Sequence, residues 1–129
     1  MYAIRSLRLT GTEHVLDLCT GTADLAIAAA RARPAAARAV GIDFAGAMLR
    51  VGQQKLRRRG LLDAIHLVGG DATRIPIASA SIDAATIAFG IRNVENTAAA
   101  CAEIRRVLTN GGRLAILEFA MPSAPSIRA

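Results

Sequence analysis

Val15-Leu16-Asp17-Leu18-Cys19-Thr20-Gly21-Thr22-Ala23-Asp24-Leu25 is the stretch that decides the fold. Its first four residues form an apolar run closed by a polar turn with a single glycine. An alanine-rich helical segment follows, from about Ala23 to Arg33, and Pro34 ends it. Strand, tight turn and helix in that order make the first half of a parallel β-α-β unit. A strand covered by helices on both faces is buried on both faces, which is why the run is nearly continuous rather than alternating.

The pattern repeats outward from there. Val40-Gly41-Ile42 makes a second strand ending on Asp43, and a helix over about Ala45 to Arg59 puts Met48, Gly52 and Leu56 on one stripe with Leu49 beside it. Gly60 stops that helix. Ile65-His66-Leu67-Val68 is the third strand, ending near Gly69-Gly70-Asp71, and Ile82 to Ala88 the fourth. A helix from about Thr97 to Leu108 is expected to bury Cys101, Ile104 and Leu108. Asn110-Gly111-Gly112 is expected to cap it and turn the chain into a fifth strand, Leu114 to Phe119. The sequence predicts one α/β domain over residues 1–129, a doubly wound, mostly parallel five-stranded sheet with helices on both faces. Residues 120–129 are expected to form a flexible tail.

Right-handed crossovers bring the C-terminal ends of all parallel strands to one edge, and ligands of open α/β sheets bind along it where strand order reverses. The residues just past each strand are therefore the candidates for chemistry. They are Asp17 through Asp24, then Asp43, Asp71, and Phe89 through Asn93, and they hold four of the chain's ten acidic residues. Gly21 lets backbone approach a ligand, and the following helix offers unpaired N–H groups suited to a carboxylate. Asp43 stands where a carboxylate can accept from both ribose hydroxyls. Asp71 can accept from an exocyclic adenine amine, while the Ala72 N–H donates to a ring nitrogen. Each aspartate alone could be a helix cap or loop residue; three at matching strand ends argue for a site. A nicotinamide site would need G-x-G-x-x-G, and this turn has one glycine.

Composition excludes several other classes. Cys19 and Cys101 are too few and too far apart for a disulfide framework or metal cluster, and His14 and His66 each precede an apolar run. No metal site is expected. The net charge of +6 comes almost wholly from arginine in an alanine-rich chain, as a GC-rich coding sequence produces, and aromatic residues for base stacking make up 3%. No nucleic-acid partner is expected. Apolar runs fall short of the roughly 20 residues that span a bilayer.

These residues together resemble a known family. The 15–25 stretch resembles the first motif of class I methyltransferases, Gly41-Ile42-Asp43 with Met48-Leu49 the second, and Gly70-Asp71-Ala72 with Ile75-Pro76 the third. Thr-Ile-Ala-Phe-Gly-Ile-Arg-Asn-Val over 86–94 is similar to the signature of the ubiquinone/menaquinone C-methyltransferases. So are Arg106-Val107-Leu108, Gly111-Gly112-Arg113-Leu114 and Leu117-Glu118-Phe119. The resemblance implies a Rossmann-like core, S-adenosylmethionine as methyl donor, and a polyprenylated benzoquinol or demethylmenaquinol as acceptor. It puts Gly21 and Thr22 at the methionine part, Asp17 on the amine side, Asp43 at the ribose, Asp71 and Ala72 at the adenine, and a backbone contact at Ala88. Arg92 is expected to stabilise the phenolate or mediate proton removal, with Asn93 orienting the quinol oxygen. A cytoplasmic protein is expected from the lack of a bilayer-spanning run or secretory signal stretch, and the lipid-soluble acceptor that the resemblance implies would bring it to the periphery of the inner membrane.

Two departures from the family pattern accompany it. Ala23 stands where the family has glycine, and its Cβ is expected beside the ligand. The sequence also begins just before the first strand and stops after the fifth, where the family continues into two further strands. It is therefore expected to be a shortened product or an incomplete gene model, with an open fifth-strand edge prone to self-association. The alternatives are a cofactor-binding core without activity, and an RNA or small-molecule methyltransferase of the same fold.

Overall fold

The computed structural model describes residues 2–88 and 96–117. A short helix, α1 (Tyr2–Ser6), precedes β1 (His14–Leu18), α2 (Asp24–Arg31), β2 (Arg38–Asp43) and α3 (Gly46–Arg58). Then come β3 (Ile65–Gly69), β4 (Ile82–Ala88), α4 (Thr97–Val107) and β5 (Leu108–Leu117). All strand pairings are parallel, in the order β3-β2-β1-β4-β5. Strand order reverses at β1, so the chain leaves β1 toward β2 and β3 and returns beside it as β4. The α/β, doubly wound architecture expected from the sequence is the one observed.

Two apolar clusters cover the sheet. On one face α1, α2 and α3 bury Ile4, Leu7, Ala26, Ile27 and Leu56 against Val15, Ala39, Ile65 and Ala84. On the other, α4 and the segment before β4 bury Ile75, Ile104 and Val107 against Leu16, Leu18, Ile42 and Ile87. Successive residues of β1 enter opposite clusters, as the period of two requires. Leu16 and Leu18 are fully buried, so truncating either would cost about 2–5 kcal/mol.

Three details depart from the sequence reading. Helix α1 was not anticipated: five residues carry too little periodicity to read, yet Ile4 and Leu7 are almost completely buried. The buried face of α4 is Ala100, Ile104 and Val107, while Cys101 is exposed. Small Ala100 lets the helix lie close to the sheet, turning the face by one residue. The chain also passes from α4 into β5 at Leu108, so Asn110 and Gly112 lie within the strand instead of capping the helix. The pairing of β4 with β5 jumps from Ile82↔Leu108 to Ala84↔Arg113, a bulge that holds the extra residues with Gly111 at φ 80°.

β5 is the last strand on its side of the sheet among the described residues. Leu114 and Ile116 pair with Ala85 and Ile87, and so face the α4 side, where they are 39% and 50% exposed. Among the described residues no helix is long and apolar enough to cross a membrane.

Gly41, in the middle of β2, shows how tightly the sheet centre is built. A Cβ there would lie 2.6 Å from Thr20 Oγ1 and 2.8 Å from Leu67 Cδ2. Thr20 cannot retreat freely, because its hydroxyl is bonded to buried Asp17. Gly41→Ala is expected to lower unfolding stability by about 2 kcal/mol. A denaturant titration in which Gly41→Ala matches the unaltered chain would contradict this packing.

Candidate functional site

The C-terminal ends of β1, β2, β3 and β4 open onto one hollow of about 1160 Å³. Its floor and walls come from the turn after β1, the end of β2, the residues after β3 and the end of β4. Asp17, Gly21, Thr22, Asp43, Asp71, Ala72 and Ala88, all singled out from the sequence, converge there. They come from points up to 71 positions apart in sequence, and the parallel sheet alone brings them to one edge. Arg92 and Asn93 lie outside the described residues, as does the rest of the 89–94 stretch. Among the described residues no group of three or more His, Cys, Asp or Glu is placed to hold a metal ion.

Asp17 lies beneath the hollow and is 2% exposed. One oxygen accepts from the Thr86 hydroxyl on β4 and the other from the Thr20 hydroxyl in the turn, both at 2.7 Å. Burial pushes its carboxyl up from 3.8 to about 6, the negative charge of Asp43 adds to this, and the two hydroxyls partly oppose it. Thr86 has no role in the strand-end candidates, and Thr20 stands among them only as part of the 17–24 stretch; both prove to hold Asp17. The alternation of β4 could have placed Thr86 on a particular face, but not opposite Asp17.

Asp43 organises the turn from the other side. Its Oδ2 accepts from the Gly21 N–H at 2.7 Å and its Oδ1 from the Ala45 N–H at 2.8 Å. The carboxylate thus ties the turn after β1 to the start of α3, whose N-cap Ala45 makes no side-chain capping bond. Gly21 is left-handed, with φ 58°, which its lack of a Cβ makes easy. Cys19 sits between these aspartates. Burial and the charges of Asp43 and Asp17 push its thiol up to about 11, so it is a neutral wall group at neutral pH, not a thiolate nucleophile.

Asp71 is on the rim. The Thr73 N–H and hydroxyl both donate to its Oδ1, at 2.9 and 2.8 Å, and they hold its carboxyl below the usual value. Phe44, 87% exposed, and Met48, 44% exposed, give the hollow an apolar lip. The stripe predicted for α3 is therefore divided. Gly52 and Leu56 are buried, whereas Met48 reaches over the turn to 3.6 Å from where a Gly21 Cβ would be.

Ala23 corrects one expectation. It is left-handed, with φ 77°, but it is fully buried in the α2-side cluster and does not line the hollow. Its Cβ therefore packs in the core and not on the hollow. The left-handed backbone costs an L-residue about 1–2 kcal/mol. Packing of the methyl, worth roughly 0.8 kcal/mol, offsets part of that.

The profile of the ubiE/COQ5 methyltransferase family matches residues 3–129. The chain belongs to this family. It is 41% identical over 124 residues to the ubiquinone/menaquinone biosynthesis C-methyltransferase UbiE of Citrifermentans bemidjiense, covering 96% of this chain and 53% of that protein. It is 40% identical over 122 residues to the demethylmenaquinone methyltransferase of Lactiplantibacillus plantarum, covering 95% and 52%. The chain thus spans about half the length of these family members. Among solved structures, the YcgJ protein of Bacillus subtilis superposes with a TM-score of 0.86 at 22% identity, over 98% of this chain and 52% of that one. A SAM dependent methyltransferase from Aquifex aeolicus gives 0.80 at 20% identity, over 96% and 67%. These two likenesses establish the shared fold, and the family membership rests on sequence.

The raised carboxyl of Asp17 has a consequence with a definite sign. Its folded value of about 6 lies above the ordinary 3.8, so the folded chain keeps a proton that the unfolded chain releases. The stability this contributes is complete below about pH 4 and is lost as pH rises through about 6. Glu13 acts oppositely. Burial would raise it, but the Thr10 N–H and hydroxyl and neighbouring N–H groups bring it down to about 2, so its contribution is lost only in acid. Melting curves from pH 4 to 7.5 should show Tm falling in the unaltered chain relative to Asp17→Asn. Parallel curves for the two proteins would rule out the shift.

Proposed function

We propose that this chain supplies the S-adenosylmethionine-binding part of a C-methyltransferase that acts on a polyprenyl benzoquinol or demethylmenaquinol. One observation carries the reading: the Gly21–Thr22 turn, Asp43 and the Asp71–Ala72 pair stand around a single hollow large enough for a nucleoside joined to an amino acid. The donor set suits that ligand. The N-terminal end of α2, with its positive dipole end, favours its carboxylate. Asp17 lies on the side of its amine and positive sulfur. Asp43 retains lone pairs for ribose hydroxyls beside the two N–H groups it already accepts. Asp71 and the Ala72 N–H address the adenine edge, with Phe44 and Met48 as apolar walls, and Ala88 offers backbone only.

S-adenosylmethionine supplies, when bound, a methyl group on a sulfonium centre. The chain's own work is alignment and charge. The acceptor's ring carbon is nucleophilic once its hydroxyl is deprotonated, and the methyl that the donor would supply would replace the ring proton at that carbon. Arg92 is assigned to the phenolate or to that proton's departure, and Asn93 to the quinol oxygen. A lipid-soluble acceptor brings contact with a membrane surface into the same proposal, and the edge of β5 is the proposed route of any self-association.

Calorimetry with S-adenosylhomocysteine tests the first half, and methyl transfer to a demethylmenaquinol analogue the second. Binding is expected to be measurable below millimolar ligand. Asp71→Ala is expected to weaken it about tenfold, as for a lost hydrogen bond to a charged group, with little change in Tm. No binding at millimolar ligand would end the proposal. Binding without transfer would leave a cofactor-holding core that makes no acceptor site of its own.

A further inference from the structure

Helix α3 bears on the turn after β1 through one stripe, Met48, Gly52 and Lys55, spaced i, i+4 and i+7. At Gly52 a Cβ would lie 3.0 Å from Leu67 Cδ1, 3.3 Å from the Thr22 carbonyl carbon and 3.4 Å from its oxygen, so this glycine lets the helix close onto both β3 and the turn's backbone. Lys55 completes the contact. Its Nζ donates to Asp24 Oδ1 at 2.6 Å and to Thr22 Oγ1 at 3.1 Å. The lysine side chain is 16% exposed, while the Asp24 side chain is 75% exposed on the wall of the hollow. Lys55 itself does not line the hollow.

Lys55 is the chain's one lysine among sixteen basic residues. A compact ammonium with three donors on a flexible stem can reach two acceptors in a narrow slot, where a planar guanidinium would need more width. The lysine end is shielded from water and the Asp24 end is open to it, so the pair counts for more than a fully exposed one and less than a buried one. Two effects follow. The Thr22 hydroxyl is held from behind, while Asp43 holds the Gly21 N–H from the other end. The carboxylate of Asp24, which would otherwise put an unpaired negative charge into the wall beside the helix N-terminus, is neutralised.

We propose that Lys55 is a positioning residue for the carboxylate end of the donor. It acts through Thr22 and Asp24 to keep the turn closed and its field receptive to an anion. This rests on the S-adenosylmethionine reading above, and it adds a ligand-selective role for a residue outside the hollow. A merely structural lysine would affect every ligand alike. A positioning lysine discriminates between ligands that carry the amino-acid carboxylate and ligands that lack it.

The test compares S-adenosylhomocysteine with 5′-methylthioadenosine, which keeps the nucleoside and sulfur but has no amino acid. Lys55→Met, which preserves the stem and removes the charge, is expected to weaken S-adenosylhomocysteine about tenfold and leave methylthioadenosine within about twofold. Adding Asp24→Asn to Lys55→Met is expected to restore most of the loss, because the unpaired carboxylate is then gone. Should Lys55→Met fail to fold by circular dichroism, Lys55→Gln carries the same comparison. Equal weakening of both ligands, or of neither, overturns the positioning role. An unaltered chain that binds neither ligand overturns the S-adenosylmethionine reading instead, so the two failures are distinct.

Discussion

A sheet whose strand order reverses must hold the two strands at the reversal together while leaving their ends apart, and in this protein a buried carboxylate does both. Asp17 on β1 accepts from Thr86 on the neighbouring β4 and from Thr20 in the turn above. The Thr86 contact joins side chains across the strand pair that bounds the crevice. The Thr20 contact bends the chain over the end of β1, where Thr20 also donates its N–H to Ile42 O on β2. A charge in this position is costly to bury, which is why its carboxyl is raised to about 6. The fold accepts that cost where three segments meet and any lateral slip would open the site.

The rest of the hollow is built outward from that anchor by a second carboxylate. Asp43 links the Gly21 N–H to the start of α3, so one carboxylate joins the turn after β1 to the helix after β2. α3 then returns the support through Gly52 and Lys55. On the far side Arg106 and Glu103 of α4 fasten the segment after β3. Arg106 donates to the carbonyls of Ile75 and Ile77, and Glu103 accepts from the Ile75 N–H. The walls that carry few polar groups toward a ligand are thus themselves held by many, and such outer hydrogen bonding keeps a preorganised site in shape.

Much of this was legible along the chain. Strands buried on both faces leave continuous apolar runs, so β1 to β4 could be bounded within a residue or two. The rule that parallel strands end at one edge points to Asp17, Gly21, Asp43 and Asp71, and the family resemblance adds Ala88. What could not be read were contacts set by packing across the sheet. Cys101 looked as apolar as Ala100, and only the close approach of α4 selected alanine for the interior. Leu108 to Gly112 looked like a helix end followed by a turn, because glycine signals a break and a bulge with the same residues. Ala23 looked like an obstruction to a ligand, and its backbone dihedral turned the methyl into the core instead.

The sequence alone determined the architecture and which aspartates stand at the strand ends around the hollow, because periodicity and strand-end position are local properties that a parallel sheet translates directly into place. Tertiary structure decided which partners hold those aspartates and in what charge state. Thr86 lies 69 positions from Asp17, and Lys55 lies 33 from Thr22. Hydrogen bonds across such separations depend on strand register and helix approach, and burial depends on everything packed above. Neither leaves a local signal in the residues themselves.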